Sequence, residues 1–159
     1  MSVAFTKESD SEAVAANLPD RPISTHPNLV TAAGLAAIDA ELASAKTAYA
    51  AAQAGDAITA DRTAMARATR DLRYWAARRA SAQLIEAVVD DSVVFGARVD
   101  FEHADGRRQS YAIVGEDEAD PAAGSVSYVS PLARALLGKR VGDLAVVAGS
   151  EVEVIAIGR

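Results

Sequence analysis

The fold of this chain is decided by residues 113–143, which read IVGEDEADPAAGSVSYVSPLARALLGKRVGD. An apolar strand end at 113–114 runs into a turn that carries four carboxylates, and a second strand is predicted over 125–129. Pro131 at a first helical position and Gly138 after the last turn then bracket a helix of about two turns. The stretch therefore predicts two strands, an acidic loop and one short helix.

The sequence on both sides of this stretch has the period-two alternation of strands. An Asp105–Gly106 pair between two such runs is typical of a hairpin turn. We expect residues 90–159 to form a small, mostly antiparallel sheet with one short helix packed on it, the second half of an α+β protein. The predicted strands are 94–102, 110–114, 125–129, 144–147 and 151–157.

The first half of the chain has the heptad period of a coiled coil. A helix is predicted to begin after Thr31, a good N-cap residue, and to end near Gly55; a second helix is predicted to end near Glu86. Two long helices joined by a short turn predict an antiparallel hairpin over 29–89, preceded by an extended tail over 1–28. The seams are Leu35, Ile38, Leu42, Ala45 and Tyr49, then Met65, Ala68, Leu72, Trp75, Arg79 and Ala82.

Composition and charge exclude several classes of protein. The chain has no cysteine, which excludes a disulfide scaffold, a thiolate metal site and a cysteine nucleophile. No apolar run approaches a membrane span of about 18 residues and no leader pattern is present, so we expect a cytoplasmic protein without membrane contact. The net charge of −6 argues against sequence-independent duplex binding.

Charge is divided unevenly along the chain. Residues 61–79 carry six arginines and two aspartates, whereas residues 90–159 carry seven basic and twelve acidic residues. A basic arm on an acidic platform suits a protein partner with nucleic acid nearby. The alternative is that the arginines only solvate one face of a helix.

Several segments, in the right order, resemble the GreA and GreB transcript cleavage factors of bacterial RNA polymerase. They are 30–31, 34–35, 94–99, 113–120, 130–139 and 141–143. The resemblance implies an N-terminal antiparallel coiled coil and a C-terminal FKBP-like domain. It also implies that the C-terminal domain docks at the rim of the polymerase secondary channel while the hairpin reaches the active site. The segment carried over to the docking surface, against the β′ subunit, is Ser130, Pro131, Leu132, Ala133 and Arg134.

The resemblance places chemistry at the hairpin tip. Family cleavage factors carry the pattern Gly-Asp-x-x-Glu at this tip. Gly55 and Asp56 match the first two positions of the pattern. Thr59 stands where the glutamate is expected, and Asp61 is the next carboxylate along the chain. Asp56 and Asp61 are therefore candidate ligands, lent to polymerase, for Mg²⁺ of its active site, and we expect no cofactor of the protein's own. The alternative is that Asp56 and Asp61 serve only as a turn residue and as a favourable charge at a helix N-terminus.

The sequence leaves more than one function open. The first is a monomeric elongation factor, not itself an enzyme, that stimulates polymerase to cleave backtracked RNA. The second is a non-cleaving Gre-like regulator or inhibitor, which the missing tip glutamate favours. A regulator of nucleoside diphosphate kinase shares the C-terminal domain, but its coiled coil is shorter than this arm.

Two other interpretations are less favoured. A prolyl isomerase needs an aromatic-lined pocket, and strand alternation places some of the four aromatic residues of the C-terminal half on opposite sheet faces. A calcium loop at 116–120 lacks EF-hand spacing, so a solvated acidic turn is expected there. The four aromatic residues are Phe95, Phe101, Tyr111 and Tyr128. The acidic residues of the loop are Glu116, Asp117, Glu118 and Asp120.

Overall fold

The computed structural model describes residues 18–55 and 62–159, which fall into two compact units. One unit combines the residues up to Thr25 with Ile38–Ser81, and the other combines His26–Ala37 with Ala82–Arg159. This division differs from the boundaries expected from sequence. It assigns residues 26–37 to the C-terminal unit, although the sequence places them at the end of the tail and the start of the hairpin.

The first unit contains most of two helices, α1 (Ala32–Gln53) and α2 (Arg62–Ser81). Asp39 of α1 pairs with Arg79 of α2, and a shallow cavity of about 110 Å³ lies between Ala45 and Ala68. The contacts move from Asp39 forward to Ala45 along α1 while they move from Arg79 back to Ala68 along α2, so the two helices are antiparallel. The predicted hairpin is therefore confirmed.

The predicted seams describe the buried side of the hairpin well. Ile38, Ala45 and Ala68 are buried, while Leu42 and Trp75 are half-buried. One seam position is wrong: Arg79 is exposed and pairs with Asp39, whereas its neighbour Arg78 is only 2% exposed. Small alanines at the contact allow close approach but bury little apolar area per residue.

The second helix ends at Ser81, five residues earlier than the predicted Glu86. The reason is a pairing between distant segments that periodicity does not reveal. Strand β1 (Leu29–Val30) pairs in parallel with β2 (Gln83–Leu84). The Gln83 and Ile85 N–H groups donate to the Asn28 and Val30 carbonyls, which replaces the hydrogen bonds of a further helical turn.

The second unit is built on a five-stranded sheet with the order β5-β4-β3-β7-β6. Its pairs are antiparallel except for β4 with β5, which is parallel. The α+β fold class is thus confirmed, with this one parallel edge as a departure from the antiparallel sheet expected. The strands are β3 (Arg98–His103), β4 (Arg108–Val114), β5 (Ser125–Ser127), β6 (Leu144–Val147) and β7 (Ser150–Gly158).

Local backbone geometry explains where the strands begin and end. The strand predicted from Val94 begins only at Arg98, because Gly96 turns at φ +85° and donates its N–H to the Ile113 carbonyl. The predicted hairpin turn is present, with Gly106 at φ +83°. There the Arg107 N–H donates to the Asp105 carboxylate, which lowers the pKa of that carboxyl.

The core of this unit lies between the sheet and helix α3 (Pro131–Leu136). Phe101, Ile113, Ala133 and Leu136 are each 0% exposed. Among residues 18–55 and 62–159, no helix combines the length and hydropathy that a membrane span requires. The sheet and its core therefore fix the position of α3, the element that carries the predicted docking residues.

Candidate functional site

Helix α3 is only six residues long, and both of its ends are stabilised by specific residues. The Ser130 hydroxyl oxygen accepts the Ala133 N–H at 3.2 Å, and Pro131 occupies the first turn, where a missing N–H costs nothing. After the last turn Gly138 has φ +81°, a left-handed conformation that favours glycine. The predicted bracketing of this helix by proline and glycine is confirmed.

The five residues carried over to the docking surface differ in what they offer a partner. Pro131 and Arg134 are exposed. Leu132 is half-buried against the core, and Ala133 is fully buried in it. The surface that α3 presents is therefore made by Pro131 and the Arg134 guanidinium, while Ala133 anchors the helix from beneath.

The acidic loop is not the solvated turn expected from sequence. Glu116, Asp117 and Glu118 are all half-buried. The Glu118 carboxylate accepts a hydrogen bond of 2.6 Å from the Thr31 hydroxyl, 87 residues away in sequence. The loop is therefore part of the tertiary structure, and it holds the residue that caps helix α1.

Asp120 has a different role at the end of the same loop. Its carboxylate accepts N–H groups from Ala122 and Ala123, at the start of a short 3₁₀ turn over Pro121–Ala123. In the part of the chain that the structure describes, no group of three or more acidic or histidine side chains is placed to hold a metal ion. The described acidic residues thus give no support to a calcium loop.

Two glycines allow the acidic loop to approach the start of α1. A Cβ added to Gly115 would overlap the Leu29 carbonyl oxygen, and one added to Gly34 would lie 2.5 Å from the Glu118 Oε2. The Gly34 N–H also donates to the Thr31 hydroxyl oxygen at 3.0 Å, which completes the N-cap. We call Thr31, Gly34, Gly115 and Glu118 the α1 clamp.

The predicted N-cap role of Thr31 is confirmed, but the sequence did not reveal the close approach of Gly34, Gly115 and Glu118. One available signal is Gly34 itself, because glycine inside a helix costs about 1 kcal/mol relative to alanine and its presence suggests a close approach. A second signal is Gly115 directly after a buried strand, where a backbone can approach closely. Neither signal identifies the partner segment, which is distant in sequence.

Aromatic side chains of this unit are used for packing. Phe101 is fully buried and stacks on Tyr111, while Phe95 makes an edge contact with Tyr128. The Tyr128 hydroxyl donates to the Pro27 carbonyl, which ties the preceding segment to the sheet. These four residues are therefore engaged in ring contacts with one another.

Half of the arginines of α2 are engaged within the protein. Arg73 pairs with Asp20, Arg79 pairs with Asp39, and Arg78 is buried. Arg62 and Arg67 are exposed at the beginning of the helix. The first half of α2 therefore exposes Arg62 and Arg67, whereas Arg73 and Arg79 are exposed but paired with aspartates.

The segment before α1 also lies against α2, which the sequence did not predict. Arg21 pairs with Asp71 at 3.3 Å, and its guanidinium lies 3.7 Å from the centre of the Tyr74 ring. Trp75 makes an edge contact with Tyr74, so its predicted packing role agrees with its position. The candidate tip residues Asp56 and Asp61, with Thr59, lie outside the described residues.

The C-terminal unit matches a known protein family. A family model described as transcription elongation factor, GreA/GreB, C-term, matches residues 88–159. Residues 88–159 are therefore similar to the C-terminal domain of the GreA/GreB family. The Gre match includes the acidic loop and all of α3, the two features that the sequence analysis singled out.

Two curated relatives of the Gre domain show how far the similarity extends. GreA of Desulfovibrio desulfuricans is 45% identical over 75 residues, which cover 45% of this chain and 46% of that protein. GreA of Ralstonia nicotianae is 49% identical over 72 residues, which cover 43% and 46%. Both are named transcription elongation factor GreA. The chain spans about half the length of the curated relatives it matches.

Among solved structures, GreA factor homolog 1 of Thermus thermophilus is a distant neighbour. It has a TM-score of 0.41 at 22% identity and covers 84% of this chain and 100% of its own. A GreA/GreB elongation factor from Nitrosomonas europaea has a TM-score of 0.38 at 15% identity, covering 82% and 98%. The Gre assignment rests on the C-terminal domain and not on these weak overall superpositions.

Proposed function

We propose that this protein is a Gre-type transcription elongation factor that binds RNA polymerase at the secondary channel and modulates elongation. The observation that carries the proposal is the GreA/GreB domain at 88–159, whose capped helix α3 presents Pro131 and Arg134 on its exposed side. The helical hairpin that precedes this domain supports the same function. The relatives that match it are named transcription elongation factors.

The proposed docking contact is made by α3 against the β′ subunit. Arg134 is exposed on a helix whose opposite side is held by Ala133 and Leu136 in the core. A guanidinium on a rigid support suits a carboxylate of the partner, because it can donate two parallel hydrogen bonds without further ordering of the helix. Pro131 adds an apolar contact that needs no hydrogen-bond partner.

The proposed role of the hairpin is to enter the channel and act beside the nascent RNA. Arg62 and Arg67 are exposed at the beginning of α2, where they can neutralise phosphate charge. In this proposal the enzyme is polymerase, and the protein works as a monomer in the cytoplasm where transcription takes place. It needs no cofactor of its own.

Stimulation of transcript cleavage is the first form of this function. Asp56 and Asp61 supply carboxylate oxygens of the kind that Mg²⁺ prefers, but Thr59 stands where the family pattern has a glutamate. A second Mg²⁺ in the polymerase active site would position an attacking water. The contribution of this chain is limited to the carboxylates that would help to hold that ion.

The second form is a channel-binding regulator that does not cleave. The specific observation that favours it is Thr59, because a hydroxyl is a poorer ligand for a hard cation than a carboxylate. Such a protein would occupy the channel and compete with cleavage factors. Both forms share the docking contact and differ only at the tip.

A backtracked polymerase complex distinguishes the two forms. We expect the protein to bind it, and release of short 3′ RNA fragments is then measured with and without Mg²⁺. Cleavage that is lost in Asp56→Ala but kept in Glu41→Ala, an exposed acid on the arm, supports the first form. Binding without cleavage, together with inhibition of a cleaving GreA, supports the second. Absence of binding would overturn both.

A further inference from the structure

We propose that the cavity between α1 and α2 binds a primary alkylammonium ion, the head group of a free amine or of a lysine side chain. The cavity has a volume of about 110 Å³, and all of its lining residues belong to one compact unit, that of the hairpin. It includes no residue of α3. The site therefore adds a ligand to the hairpin, and it does not depend on the polymerase contact.

The walls of the cavity carry negative charge and no positive charge. Glu41 of α1 and Asp71 of α2 both line it, so each helix supplies one acidic residue, and none of the described lining residues is basic. Asp71 is paired with Arg21, whereas no described residue forms an ion pair or a hydrogen bond with the Glu41 side chain. A cation is therefore the favoured ligand, because an anion would meet like charge from both helices.

An aromatic ring and a cation of the chain itself point to the same class of ligand. Trp75 lines the cavity together with Asp71, which lies one turn earlier on α2. The Arg21 guanidinium lies against this pair, 3.3 Å from the Asp71 carboxylate and 5.2 Å from the centre of the Trp75 ring. A cation within about 6 Å of an indole ring is attracted by the quadrupole of the ring. The pair thus already binds one cation, and the cavity offers the same combination to a second.

The rest of the lining selects a small head group on an alkyl chain. Ala45, Ala48 and Ala68 supply apolar surface, on which methylene groups can pack. An ammonium group donates three hydrogen bonds, and the two carboxylates and the Ser44 hydroxyl are the acceptors in the lining. Pockets for drug-sized ligands begin at about 300 Å³, so this cavity suits a single head group and not a nucleotide.

The test follows the fluorescence of Trp75, the one tryptophan of the chain, while the full protein is titrated with n-butylammonium chloride at constant ionic strength. We expect a saturable change in the emission. Butanol has a similar size without a charge, and butyrate carries the opposite charge, so neither should give a saturable change. Equal responses to the three compounds, or no saturable response to n-butylammonium, would overturn the proposal.

Substitution of a carboxylate separates a bound cation from general quenching. Glu41→Gln keeps the size of an exposed side chain but removes its charge, so the dissociation constant for n-butylammonium should rise about 10-fold. The matched control is Glu153→Gln, a change at an exposed acid of the sheet, which should leave the dissociation constant unchanged. Equal effects of the two substitutions would contradict the assignment to this cavity.

Arg21→Ala tests the carboxylate that the chain's own cation shares with the ligand. The variant leaves Asp71 without its ion pair, so n-butylammonium should bind with a lower dissociation constant. A higher dissociation constant in this variant would contradict a shared carboxylate.

Two further ligands distinguish the source of the ammonium group. Both 1,4-diaminobutane and Nα-acetyl-lysine methylamide carry a primary ammonium on an alkyl chain. Binding of both supports a site that accepts a lysine of another protein, whereas binding of the diamine alone supports a site for free amines. Binding of neither would overturn the proposal. Because polymerase is absent from these titrations, failure here is distinguishable from failure of the polymerase contact.

Discussion

Helix α3 and the α1–α2 hairpin are held in place by different kinds of interaction. The six residues of α3 are fixed by a serine cap, a proline, a left-handed glycine and two fully buried side chains. The hairpin has helices of 22 and 20 residues but relies on small alanines and exposed ion pairs. Long helices can thus be the less tightly held part of a protein, since tertiary burial and not length supplies most helix stability.

The difference agrees with the proposed roles of the two regions. A docking helix must present Arg134 in one orientation, which buried anchors such as Leu136 provide. An arm that enters a channel needs a narrow cross-section, which small side chains at the helix contact provide. The following substitutions test this comparison, from the largest expected effect to the smallest.

The largest effect is expected from Leu136→Ala in α3. Leu136 is 0% exposed, so truncation leaves a cavity and should lower the free energy of unfolding by about 3 kcal/mol. The matched change Leu42→Ala removes a half-buried seam residue and should cost about 1 kcal/mol. Urea unfolding followed by circular dichroism measures both. Equal losses would show that the two regions are held alike.

The second effect concerns the α1 clamp. Gly115→Ala places a methyl group against the Leu29 carbonyl, which cannot move without disturbing β1. We expect a loss of about 2 kcal/mol in the free energy of unfolding. Gly158→Ala meets open space and is the control, with a change below about 0.5 kcal/mol. Similar melting temperatures for the two variants would contradict the close approach.

A third, smaller effect is expected at Thr31. Thr31→Val keeps the shape of the side chain but removes both the N-cap and the hydrogen bond to Glu118, at a cost of about 1–2 kcal/mol. Thr31→Ser retains the hydroxyl and should remain close to the natural protein. Faster amide exchange at Gly34 and Leu35 in the valine variant alone is the expected local signature. Unchanged exchange in both variants would argue against the cap.

The smallest effect is expected in the segment packed on α2. Arg21→Ala removes a partly buried ion pair and a cation–π contact, which together should contribute about 1 kcal/mol or less. The fluorescence of Trp75, the one tryptophan of the chain, should change because its aromatic neighbour Tyr74 loses this contact. Arg159→Ala is the control. An equal change of fluorescence in that variant would contradict the contact of Arg21 with Tyr74.

The parts of the fold that depend on local sequence could be predicted. Pro131 and Gly138 bracket α3, the Asp105–Gly106 pair forms its turn, and the heptad seam is the buried side of α1. Pairings between distant segments could not be predicted, since nothing local distinguishes their partners. Leu29–Val30 joins Gln83–Leu84, and for this reason α2 ends early.

The candidate site likewise contains features that local sequence predicts and contacts between distant segments that it does not. Arg134, carried over to the docking surface, is exposed, whereas Ala133, carried over to the same surface, is fully buried. The Thr31–Glu118 hydrogen bond spans 87 residues and had no local signal beyond the two glycines. The acidic loop was therefore expected to be solvated, although three of its four acidic residues, Glu116, Asp117 and Glu118, are half-buried.

The most direct test of the central claim is the affinity of the protein for purified RNA polymerase, measured for Arg134→Glu against Arg159→Glu. Both variants change net charge equally at exposed arginines, so only the contact at α3 separates them. The proposed docking predicts that Arg134→Glu raises the dissociation constant about 10-fold or more, which is about 1.4 kcal/mol, with unchanged circular dichroism. Equal affinities for the two variants would contradict it.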